Sequence, residues 1–169
     1  GYPAHIAAET RILERDLPLT AIAGLVGVLI FFFLVYGSAA HTVVVLLPLL
    51  IGIIVTLGGV VITIGRLNLL SSSFFAFLVG LGIDFGIHLI SRFGEAARRG
   101  ESARSSCNEA ITETGPAVIT GAVTTISAFL AVATSDFMGL SEVGMISALG
   151  LGCVLLVNLT LVPSLLMSR

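Results

Sequence analysis

The chain has 169 residues, 56% of them hydrophobic and 11% charged, with a net charge of −2. A soluble domain carries about 25% charged residues, so this chain lacks the charge to cover a water-facing surface. The composition excludes an ordinary soluble domain, and the eight cations, all arginine, form no basic patch for nucleic acid.

Residues 1–17 are polar, with apolar residues Ile6, Leu13 and Leu17 at helical spacing, and read as an extracytoplasmic approach segment. The chain starts at Gly1 with neither an initiator Met nor a basic signal-peptide head, which reads as a piece of a longer protein. Five apolar stretches follow, at 18–36, 42–64, 70–91, 116–134 and 143–166. Each is about 20 residues long, enough to cross a hydrocarbon core of ~30 Å. None alternates with a period of two, and lipid offers a bare backbone no partner, so these spans are expected to be helices. The expected fold is an all-α membrane protein, a five-transmembrane-helix bundle. Short links at 37–41, 65–68 and 135–142 make successive spans antiparallel neighbours.

The one long connection, 92–115, holds Arg92, Arg98, Arg99 and Arg104. Within it, Ala103, Cys107, Ala110 and Ile111 recur at helical spacing and predict an amphipathic interfacial helix over about 101–114. Gly115 and Pro116 are expected to stop that helix and start the next. Five arginines, Arg169 among them, fall on this side of the membrane, against Arg11, Arg15 and Arg66 on the other, so 92–115 is expected in the cytoplasm. Cys107 lies in this charged segment and Cys153 in an apolar one, so no disulfide is expected between them.

The third span carries polar residues in the sequence GLGIDFGIHLISRF, residues 80–93. Asp84 falls about 4 to 5 Å past the midpoint of the span, and His88 follows one turn later on the same face. A charged Asp near the bilayer centre costs about 2.5 to 3.5 kcal/mol, so such residues turn toward the bundle interior or water and mark functional sites. Low dielectric favours its neutral form, and a nearby cation or water its charged form. Asp84 is thus either a proton relay or a hydrogen-bonded structural anchor. His88 is a relay partner or a satisfied interface histidine. Gly80, Gly82 and Gly86 are expected to let another helix approach closely, with Gly82 and Gly86 bracketing Asp84 at a helix crossing. In the fourth span Thr120, Thr124 and Ser127 share a stripe with Thr125 beside it, and Thr124 matches the depth of Asp84. These hydroxyls either serve the acid or bond back to their own helix. Asn158 is expected to bridge helices. No metal, nucleotide or cofactor signature appears, and no nucleophile is paired with a base, so no enzyme is expected.

GLGIDFGIHLISRFGE (80–95), TGPAVITGAVTTISAFLAV (114–132), FMGLSEVGMISALG (137–150) and LTLVPSLL (159–166) resemble, in order and spacing, the transmembrane motifs of the resistance-nodulation-division superfamily, on its mycobacterial-membrane-protein-large and hopanoid-transporter branch. The resemblance implies a proton-driven exporter of hydrophobic lipids in a bacterial inner membrane. Such proteins have twelve spans in two halves, with large extracytoplasmic porter domains. This chain would then be the second to sixth helices of one half, a unit shared with sterol-sensing domains. Its expected partners are membrane lipids, a lipid substrate, the second transmembrane half and the porter domains. By the same resemblance, Asp84 takes the place of the proton-carrying acid and Thr124 lies on the helix facing it. Phe85 stands where the family commonly has Tyr, which leaves open whether His88 or a hydroxyl completes the relay. A lipid-sensing module that uses no proton gradient is the other reading.

Overall fold

The computed structural model describes residues 22–24, 26, 27, 30, 39–63 and 69–167, with the backbone alone at 39–41, 63 and 69–76. The expectations for 1–17, for the first span as a whole and for the link at 65–68 lie outside the described residues. Four long helices carry the rest: α1 (Ala39–Thr63), α2 (Leu69–Arg98), α4 (Gly115–Ala133) and α5 (Met138–Met167). A short α3 (Ala103–Glu109) leads through a π-turn (Ala110–Thr114) into α4. No strand occurs among the described residues, and four of their segments are long and apolar enough to cross a membrane. The fold is an all-α membrane bundle.

Helix α5 is the hub, packed along α1, α2 and α4. Apolar residues surround it on every side, as suits a helix without a solvent face, and Ile146, Leu151, Val154 and Val162 are buried. Lipid tails are as apolar as leucine, so close backbone approach, more than the hydrophobic effect, holds such helices together. Glycine supplies that approach. A Cβ on Gly52 would lie 2.7 Å from Val154 Cγ2, and one on Gly150 would lie 3.0 Å from Thr56 Cγ2. The tightest place is Gly144, where a Cβ would sit 2.4 Å from Ala133 N and 2.6 Å from Phe129 O. There α4 and α5 touch backbone to backbone, and Ser141 Oγ donates to Ala133 O at 2.6 Å across the same hairpin. Two buried polar side chains of the long helices serve their own helix: Thr56 Oγ1 donates to Gly52 O at 2.7 Å, and Asn158 Nδ2 to Val154 O at 2.9 Å. The expectation that Asn158 bridges helices is not met by a hydrogen bond. Its Oδ1 has no partner and lies against Gly86 of α2.

Three features differ from the expectations above. First, α2 continues past Ser91 to Arg98, because hydropathy marks contact with lipid and not helicity. It ends at Gly100, whose φ of 87° is left-handed. Glu101 N–H bonds Ala96 O at 3.4 Å and Gly100 N–H bonds Ala97 O at 3.1 Å, the paired bonds of a Schellman cap. A side chain at Gly100 would strain that cap, so Gly100→Ala should cost about 1 kcal/mol. Hydrogen exchange should then quicken at residues 96–101 and leave α5 unchanged.

Second, the helix does not stop at Gly115–Pro116. Residues 103–133 run as one continuous helical segment. Proline lacks an N–H and its ring crowds the carbonyl four residues back. The wider π-turn at Ala110–Thr114 lies against that position and makes room for Pro116 without a break.

Third, α3 docks on protein. Its buried residues are Ser106 and Cys107, followed by Ala110 of the π-turn, while Ala103 and Ile111 are exposed. Cys107 Sγ–H points to Pro163 O of α5 at 3.8 Å. The inward face thus shares Cys107 and Ala110 with the expected apolar stripe, with Ser106 buried in place of Ala103 and Ile111. Ser102 caps α3, its Oγ accepting from Ser105 N at 3.2 Å.

Candidate functional site

Helix α2 shows two different faces. At about 100° per residue, Gly82 and Gly86 each lie about 200° around the helix from Asp84. The glycines bracket the acid in sequence but occupy the opposite side. A Cβ on Gly82 would meet Leu49 Cδ1 and Val154 Cγ1 at 2.8 Å, and one on Gly86 would meet Asn158 Oδ1 and Val45 Cγ1 at 3.2 Å. Both positions face α1 and α5. Gly80 differs: it is exposed, and a Cβ there would meet nothing within 4 Å. It shares the outward stripe of Phe77, Asp84, His88 and Glu95, all exposed.

Asp84 is thus turned away from the centre of the described bundle and away from the Gly82–Gly86 crossing where it was expected. It lines a groove of about 200 Å³ with Phe85 and His88 of α2, Thr114 of the π-turn, and Ala117, Val118 and Gly121 of α4. The groove exists because α2 and α4 meet only narrowly, each being packed mainly on α5. Phe85 forms its floor, 9% exposed and part of the core. Asp84 and His88, one turn apart, put a carboxylate and an imidazole on a single wall. Such a pair can take up and release a proton.

Thr124 and Thr125 lie one turn beyond Gly121 and are not among the residues lining the groove. Their hydroxyls donate to their own helix, Thr124 Oγ1 to Thr120 O at 2.8 Å and Thr125 Oγ1 to Gly121 O at 2.9 Å. Thr120 and Ser127 do the same toward Pro116 O and Val123 O, each at 2.8 Å. With the protons so committed, these oxygens can only accept. Thr114, which the sequence reading passed over, is the hydroxyl residue in the groove wall. Its place just before Gly115–Pro116 drew attention to the chain break expected there and away from the side chain.

The arginine-rich end of the groove carries an ion network that sequence spacing alone did not reveal. Arg92 bonds Glu95 at 2.9 Å, Glu109 at 3.0 Å and Glu113. Arg99 bonds Glu101 at 3.2 Å and also Glu109. Glu109 is therefore shared by two guanidinium groups from α2 and its cap. At the outer rim, the Ser105 hydroxyl and then Arg99 hold the Glu101 carboxyl below the usual carboxylate range.

A bundle of apolar helices with an acid and an imidazole along one groove defines a class: an integral membrane protein with ionisable side chains on a helix long and apolar enough to cross a membrane. The MMPL family profile matches residues 1–168, and the chain belongs to the MMPL family. It is 31% identical over 166 residues to a membrane protein of Methanocaldococcus jannaschii, which covers 98% of this chain and 43% of that one. It is 29% identical over 158 residues to a hopanoid transporter of Burkholderia multivorans, covering 94% of this chain and 18% of the transporter. It is 24% identical over 169 residues to a sulfolipid-1 exporter of Mycobacterium tuberculosis, covering 97% of this chain and 16% of the exporter. The chain thus spans less than half the length of each of these relatives, which are membrane or transport proteins.

Proposed function

We propose that this chain is the proton-coupling half of the transmembrane region of an exporter of hydrophobic lipids, driven by the proton gradient across a bacterial inner membrane. The observation that carries the reading is the groove: Asp84 and His88 stand one turn apart on the outward stripe of α2, beside α4. A charged acid facing lipid near mid-membrane costs about 2.5 to 3.5 kcal/mol, so the stripe needs a covering of protein or water in the membrane. The rest of the full-length transporter supplies that cover. Gly80, small and on the same stripe, leaves room for a second helix to come close. Lipid cargo is supported by the hopanoid transporter and the sulfolipid-1 exporter among the relatives. A hopanoid-like lipid is the narrower choice.

In this reading Asp84 takes a proton from one side and loses it to the other. The change of charge alters what α2 can pack against, and the bundle moves between discrete arrangements. Phe85 has no hydroxyl, and Thr120, Thr124 and Thr125 donate to their own helix, so His88 and Thr114, both in the groove wall, are the partners for the acid in this reading. In vesicles carrying the full-length protein, a protonophore that collapses the gradient should stop lipid export. A lipid-dependent response that persists through the collapse would instead favour a sensing module.

A further inference from the structure

We infer that Arg92 is a positioning residue for the Asp84–His88 groove: by holding Glu109 and Glu113 it sets the π-turn, and with it the place of Thr114 in the groove wall. The inference rests on the reading of that groove as the proton site. Asp84, His88 and Arg92 follow one another at four-residue steps, so Arg92 continues the groove stripe toward the arginine-rich end. Its guanidinium reaches across to Glu109 before the π-turn and to Glu113 inside it. Thr114, the next residue, lines the groove.

A π-turn accommodates one more residue than an α-turn. If Ala110–Thr114 relaxed to α-helix, everything before it would rotate by about 100° relative to α4. Glu109 could not then keep Arg92 and Arg99 together while Thr114 kept its place beside His88. Two devices therefore hold the wide turn: Pro116 locally, through its missing N–H, and Arg92 from α2. The Arg92 fork is not fully used, since Nε is buried without a partner. Its hold comes through one terminal nitrogen, Nη2, which meets both Glu109 and Glu113, while Nη1 bonds Glu95 on its own helix.

The test uses the full-length transporter in a cysteine-free background with Thr114→Cys as reporter and a small methanethiosulfonate reagent. Arg92→Gln should change the rate of Thr114→Cys modification by about fivefold or more, as expected when a local element loses its fastening. Arg92→Lys, which keeps the charge opposite both glutamates, should bring the rate back to within about twofold. A second reporter, Ser127→Cys, farther along α4, should stay within about twofold in every variant. If Arg92→Gln does not reach the membrane, Glu113→Gln removes the same pair from its more exposed side and should move the Thr114→Cys rate in the same direction. An unchanged Thr114→Cys rate, or equal changes at both reporters, overturns the inference. Because labelling is read without transport, a shifted Thr114→Cys rate alongside normal export by Asp84→Asn would leave the positioning role standing and sink the proton-site reading alone.

Discussion

Asp84→Asn in the full-length transporter should reduce lipid export to background while the protein reaches the membrane at normal levels. Asparagine matches the shape of aspartate but has no carboxylate to bind and release a proton. Asp84 makes no hydrogen bond or ion pair with a described residue and is exposed on the outward stripe of α2. No anchoring contact to a described residue is lost, so the described bundle should change in stability by less than about 0.5 kcal/mol, as at other positions exposed on it. Asp84→Glu, which keeps the ionisable group but moves it by one methylene, should retain part of the activity. Export assays in cells, paired with quantitative blotting of membrane fractions, separate the two effects. A scaffold role would show the opposite pattern, with lowered protein level and export per molecule unchanged.

The largest effect on stability should come from Gly144. Any Cβ there falls within 3 Å of the α4 backbone at Ala133 and Phe129, and backbone cannot step aside as a flexible side chain can. Gly144→Ala should cost about 2 kcal/mol or more, near the upper end of overpacking penalties, and Gly144→Val more still. The hairpin would open where Ser141 Oγ meets Ala133 O. Gly58→Ala is the matched control, because a Cβ at Gly58 meets nothing within 4 Å. That change should be neutral or should stabilise by up to about 1 kcal/mol, since alanine is the better helix former. Thermal melts of the purified full-length protein in one detergent, run side by side, read both.

Much of the architecture was legible in the sequence because a bilayer leaves few choices. Apolar runs had to be helices, and 42–64, 116–134 and 143–166 correspond to α1, α4 and α5 within a few residues at most ends. Helicity that does not depend on lipid was not legible. The segment RFGEAAR after Ser91, too charged to read as a span, continues α2, and the arginine segment folds back against it through salt bridges between residues as far apart as Arg92 and Glu113. Gly115–Pro116 misled for a related reason: proline after an α-turn implies a break, whereas proline after a π-turn does not.

At the site, Asp84 and His88 were visible as misplaced polar residues, and helical spacing put them together. Their direction was missed because Gly82 and Gly86 were taken to surround Asp84, when two residues along a helix is more than half a turn. The threonine stripe of α4 looked like a set of proton donors. In an apolar medium such hydroxyls find the carbonyl of their own preceding turn first, and all four do so.

The central claim, that Asp84 carries the coupled proton, is tested most directly by proton flux into liposomes reconstituted with the full-length transporter, loaded with lipid substrate and given a pH step. Wild-type protein should show substrate-dependent acidification of the lumen, read by an enclosed pH dye, and Asp84→Asn protein should show none above empty liposomes. Substrate-dependent flux of equal rate in both proteins would contradict the account.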